Sequence, residues 1–109
     1  MAHGHVLVIP VAEIDHWVDL GPADAAHLFA VAHHIASAQR AAFAPERVGL
    51  IVAGYEVPHT HVHVIPTNDM GQLSFANAAM SVERSSLESA AAAIRHALRA
   101  AGHDTEVVG

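Results

Sequence analysis

The chain has 109 residues, 52% of them hydrophobic and 15% charged, with a formal net charge of −6 when its 11 histidines are neutral. That length is one domain able to bury a core, and the acidic balance excludes the basic stripe that duplex nucleic acid requires. The absence of cysteine excludes a disulfide framework, a thiolate nucleophile and a cysteine-based zinc site, and with no secretory leader pattern and no apolar run of spanning length the expectation is a cytoplasmic protein without membrane contact.

Residues 5–10 (HVLVIP) form an apolar run that predicts a strand buried on both faces. Residues 13–18 predict a short helical turn, and Trp17 within it is read as a core or dimer anchor. A long helix is expected from Pro22. Gly21 is an acceptable N-cap, Pro22 suits the first helical position, and Asp24 meets the positive end of the helix dipole. Leu28, Val31, Ala32, Ile35, Ala38 and Ala42 mark its apolar stripe, and Pro45 ends it. Residues 48–56 predict a second strand that bends near Gly54, and Val57-Pro58 leads into a third over residues 59–65. Pro58 does not suit a central ladder. The link is therefore either a hairpin with an irregular corner or a connection that swings the third strand into place. Residues 66–84 read as loop, with a turn at residues 68–71. Ser85-Ser86-Leu87-Glu88 has capping-box spacing, which predicts a last helix over about residues 86–101, stopped by Gly102. The order strand, helix, strand, strand, helix is an α+β domain with an antiparallel sheet, one long central helix and a C-terminal helix. Three strands leave edges that invite another chain, so a homodimer is expected. A monomer by light scattering at micromolar concentration would count against it.

The chemistry concentrates in His59-Thr60-His61-Val62-His63. On a strand, alternate side chains share a face, so the three imidazoles line up opposite Thr60, Val62 and Val64. Such a row suits two tasks. In the first, a neutral imidazole attacks phosphorus and forms a phosphoramidate, splitting one hard displacement into two easier ones. The middle residue, His61, is then the natural nucleophile, with His59 orienting it and His63 contacting the phosphate. In the second, two of the imidazoles bind one metal ion with Glu56 or Asp69 as a further ligand. Same-face histidines lie roughly 6.5–7 Å apart per step along a strand, too far for all three to share one ion easily, and no metal or other cofactor is expected. His3, His16, His27, His33, His34, His96 and His103 read as solvated, capping or stripe-edge residues.

With these residues in view, the chain resembles the histidine triad (HIT) superfamily. His59, His61 and His63 followed by Val64-Ile65 match its signature, and Gly4-His5-Val6-Leu7-Val8-Ile9-Pro10 is similar to its strand before the long helix. Glu13-Ile14-Asp15-His16-Trp17 and Leu20-Gly21-Pro22 extend the likeness, which covers most of residues 3–67. The resemblance implies a HIT-like fold, a homodimer without catalytic metal, and a nucleotide hydrolase or transferase. The implied substrates are small nucleoside phosphate conjugates, such as phosphoramidates or dinucleoside polyphosphates. It implies a nucleotidyl intermediate on His61, with His59 and His63 as triad partners, His5 near them, and Gly54 offering a backbone N–H to the phosphate. Glu56 stands where the family has a small hydroxyl residue, and would repel an anionic substrate or serve as a general acid. Leu50, Ile51 and Val52 replace the strand that usually carries a ribose-contacting asparagine. By the same comparison the chain is read as lacking the N-terminal segment that relatives use for base and ribose contacts. The alternative is a catalytically reduced nucleotide- or metal-binding module.

Overall fold

The computed structural model describes residues 3–55, 57–73, 84–103 and 107. Strand β1 (Val6–Val8), helix α1 (Pro22–Phe43), strands β2 (Arg47–Ile51) and β3 (Val62–Thr67) and helix α2 (Arg84–Ala100) follow one another in the α+β order expected. The sheet is antiparallel with order β1-β3-β2, so β3 is central.

Binary patterning explains which face each element buries. Val8, Val62 and Val64 pack with Leu20, Leu28 and Ala32 into one cluster between the sheet and α1. Val62 and Val64 are fully excluded from water, worth about 1.5–3 kcal/mol for each side chain. Among the described residues the opposite face is covered at one end. A 3-10 turn, Met70–Leu73, places Leu73 over Gly49, the cross-strand partner of the buried Ile65. The end that carries the histidines stays half-open.

α1 starts as its sequence dictates, with Gly21 as N-cap and Pro22 in the first turn. It ends one residue before Pro45, on Ala44 in the left-handed region (φ 46°). The residue before a proline is disfavoured in the helical region, which is why the chain leaves the helix there. α2 packs on α1 and closes with a Schellman motif. Gly102 has φ +97°, its N–H donates to Arg99 O, and the His103 N–H donates to Leu98 O. The His103 ring then rests on His34 of α1, with centroids 4.3 Å apart.

Several expectations are corrected. β1 spans three residues rather than six and is buried on one face only, with Leu7 and Ile9 more than half exposed. β2 stops at Ile51, five residues early, and residues 52–55 and 57–61 lie outside the strands, an irregular link between β2 and β3. β3 begins at Val62, so His59 and His61 lie outside the ladder, and it runs on through Pro66 into what was expected to be loop. Pro66 is tolerated in a central strand because β1 reaches no further than Val64, leaving only β2 beside it. The capping box does not form. Ser85 and Glu88 sit inside α2, and the Glu88 carboxylate takes the Arg84 guanidinium one turn back, at 2.9 Å. That exposed i,i+4 pair is worth about 0.3–0.5 kcal/mol. The helical turn expected over residues 13–18 is a 3-10 turn at Trp17–Asp19. Asn68 and Asp69 do form a turn: Asn68 Oδ1 accepts from Glu46 N, and Asp69 Oδ1 accepts from Gln72 N.

Candidate active site

Main-chain carbonyls and short loops position the histidines. Thr60 is buried, and both its N–H and its Oγ1 donate to Ile14 O. This ties the His59–His61 segment to the loop after β1 in place of ladder hydrogen bonds. His59 Nε2 donates to Pro10 O at 2.8 Å. His61 Nδ1 donates to His59 O at 2.8 Å. A carbonyl can only accept, so each contact fixes a tautomer. The neutral His61 ring therefore carries its proton on Nδ1 and has its lone pair on Nε2.

The remaining two imidazoles form a pair. His5 Nε2 and His63 Nδ1 are 2.9 Å apart, and the rings stack at a centroid distance of 5.1 Å. The His63 ring stands edge-on to His61 at 5.0 Å. His5, His63 and His61 thus make a continuous row, while His59 turns away to Pro10 O. One nitrogen of the His5–His63 contact must donate and the other accept, which leaves room for a single proton between them.

Burial and the neighbouring His63 depress the pKa of His5 from 6.5 to about 4, with a smaller contribution from the amino-terminal charge. The consequence for stability has a definite sign. Above about pH 6.5 His5 is neutral whether folded or unfolded and contributes nothing to the pH dependence. Between 6.5 and about 4 the unfolded chain binds a proton that the folded chain refuses, so stability falls as pH falls, and below that window the loss is complete. Solvent screening at a half-buried ring reduces the effect to about 1–2 kcal/mol. In urea titrations at about pH 8 and about pH 4.5, wild type is expected to lose about that much more than His5→Phe, which keeps a stacking ring and cannot titrate. Equal losses in the two proteins would show that His5 is not held in this pair.

His61 faces a cleft of about 190 Å³, walled by Asp15, His16 and Trp17 on one side and by Val52–Tyr55 on the other, with Thr60 at its base. Of the expected site residues, His61 and Gly54 line this cleft, and His5, His59 and His63 stand outside its lining. Gly54 has φ +79°, the backbone conformation that bends the chain into the wall. Glu56 lies outside the described residues. Trp17 is 41% exposed at the cleft, edge-on to Phe29, rather than sealed in the core. Asp15, His16 and Tyr55 also line it and were not singled out from sequence, because a loop lining carries no periodicity. Among the described residues no three histidine, aspartate or glutamate side chains come together as a metal-ligand set, and no helix is long and apolar enough to cross a membrane.

The HIT domain family model matches residues 1–70, and the chain belongs to that family. It is 35% identical over 68 residues to the bis(5'-nucleosyl)-tetraphosphatase [asymmetrical] of Schizosaccharomyces pombe, a match covering 58% of this chain and 37% of that protein. The chain thus spans little more than a third of that curated relative. Among solved structures, a zinc-bound histidine triad family protein from Mycobacterium smegmatis superposes with a TM-score of 0.74 at 27% identity, covering 97% of this chain and 75% of that one. A Hit-like protein from Bartonella henselae superposes with a TM-score of 0.73 at 25% identity, covering 88% and 72% respectively.

Proposed function

We propose that this protein binds nucleotides and acts as a HIT-type hydrolase or transferase on nucleoside phosphate conjugates, either phosphoramidates or dinucleoside polyphosphates. The observation that carries the reading is the tautomer of His61: Nδ1–H is held by His59 O, which leaves the Nε2 lone pair on a ring that lines the cleft. His61 Nε2 attacks the phosphorus attached to the nucleoside. The bond to the leaving group breaks, and the leaving amine or phosphate departs with its electron pair and takes up a proton. Water, or another acceptor, then attacks the nucleotidyl phosphorus. The P–N bond to His61 breaks, and the nucleoside monophosphate is released or transferred. His63 supports the developing charge from beside His61, His59 orients the nucleophile, and Gly54 offers its backbone to the phosphate. Glu56 is assigned to protonation of the leaving group. The reading includes a homodimer, supported by the two open edges β1 and β2 of a three-stranded sheet, and a cytoplasmic location.

Rapid quenching in alkaline denaturant, with an adenosine phosphoramidate labelled at its phosphorus, tests the covalent step. The expected result is an acid-labile, base-stable adenylyl adduct on the peptide containing His61. Nucleotide bound without any adduct, at every quench time, would favour the reduced binding module instead.

A further inference from the structure

We propose that Gln39 is a positioning residue for the histidine row: its single carboxamide, reaching in from α1, clamps Gly4 to Val64, the residues next to His5 and His63. Gln39 is fully buried. Its Nε2 donates to Gly4 O at 2.8 Å and to Val64 O at 2.9 Å. Both partners are carbonyls, so the NH2 side of the amide must face them. Gly4 precedes His5 and Val64 follows His63, and those two rings meet at 2.9 Å.

The clamp matters because the ladder stops short of His5. Cross-strand pairing of β1 with β3 begins at Val6, opposite Val64. His5 lies one residue beyond that register, outside the β1–β3 pairing. Two features hold it. One is Gln39. The other is Gly4 itself, with φ +83° and no room for a Cβ against the Phe43 ring. Gln39 Oε1, moreover, has no hydrogen-bond partner among the described residues. An apolar side chain of the same size would remove that orphan acceptor but take the amide donor from the Gly4 and Val64 carbonyls, so the side chain's polarity is spent on joining those two backbone segments.

The catalytic meaning of the clamp rests on the function proposed above, but its test does not. In the full chain, the ring nitrogens of His5 are titrated by 15N NMR in wild type, Gln39→Leu and Ile94→Val. Ile94 is buried in α2, away from the row, and its variant reports a stability loss unrelated to the clamp. The expected result is that His5 titrates near 4 in wild type and rises by about one pH unit or more toward 6.5 in Gln39→Leu, as the ring gains water and leaves His63. It stays near 4 in Ile94→Val. An unmoved His5 in folded Gln39→Leu, or an equal rise in Ile94→Val, overturns the proposal. If Gln39→Leu does not fold, scalar couplings across the hydrogen bonds from Gln39 Nε2 to the carbonyl carbons of Gly4 and Val64 are read in wild type. Their presence supports the clamp and their absence overturns it. With an adenosine phosphoramidate as substrate, Gln39→Leu is expected to lower kcat about tenfold with little change in KM. A wild type without turnover defeats the proposed activity, while the titration still decides the role of Gln39.

Discussion

His61→Ala is expected to lose about 10⁴-fold in kcat on an adenosine phosphoramidate, with KM changed by no more than about threefold. The size of the effect follows from the kind of group removed. A nucleophile forms a bond in the transition state and contributes little to ground-state binding, so its loss falls on kcat. What remains is direct attack by water, aided by whatever the neighbouring groups give to the developing charge, and such a residue of catalysis is usual when one member of a catalytic set is deleted. The fold tolerates the change. His61 is half-buried and outside the ladder, and its hydrogen bond to His59 O is worth about 0.5–1.5 kcal/mol net. Thermal unfolding of the variant within a few degrees of wild type makes the kinetic result interpretable. Turnover that survives the substitution unaltered sinks the assignment of His61 as nucleophile.

The largest stability effect is expected at Gly4. Its φ of +83° is a conformation that L side chains avoid, and a Cβ there would overlap the Phe43 ring. The backbone part costs roughly 1–2 kcal/mol, and forcing volume into a packed site typically adds about 1–3 kcal/mol. Gly4→Ala is therefore expected to lose about 3 kcal/mol in urea unfolding, a large fraction of the roughly 5–15 kcal/mol that holds a domain together. Gly102 supplies the comparison. It also has a positive φ, but nothing lies within 4 Å of its absent Cβ, so Gly102→Ala carries only the conformational part, about 1 kcal/mol. Equal losses at the two positions would show that the Gly4 segment does not dock against α1.

What was readable in the sequence was whatever is local. The start of α1 at Gly21-Pro22, its stop ahead of Pro45 and the glycine stop after α2 are all short-range chemistry, and each stands where expected. The alternation of the triad was readable too. Thr60, Val62 and Val64 are buried, and the three histidines between and beside them are half-buried. Whether that alternation is hydrogen-bonded as a strand was not readable. The side chains of His59 and Thr60 find their partners at Pro10 and Ile14, almost fifty positions away. The same holds for His5, whose partner is 58 residues along the chain. Ser85 and Glu88 misled because one glutamate can satisfy two local patterns, and the cation one turn back outcompetes the cap. Gln39 does carry a signal in the sequence. It falls at helical spacing with Leu28, Ala32 and Ile35, so a polar residue sits in the middle of an apolar stripe. Such a break asks for buried partners.

The groups that hold the His59 and His61 imidazoles are themselves uncharged. Pro10 O and His59 O hold His59 and His61, a task that a carboxylate performs in many histidine sites. A carboxylate would raise the basicity of the ring it holds and present a fixed negative charge to an incoming phosphate. A peptide dipole does neither. The supports that aim the nucleophile thus add no fixed negative charge of their own behind the imidazole that meets the phosphate.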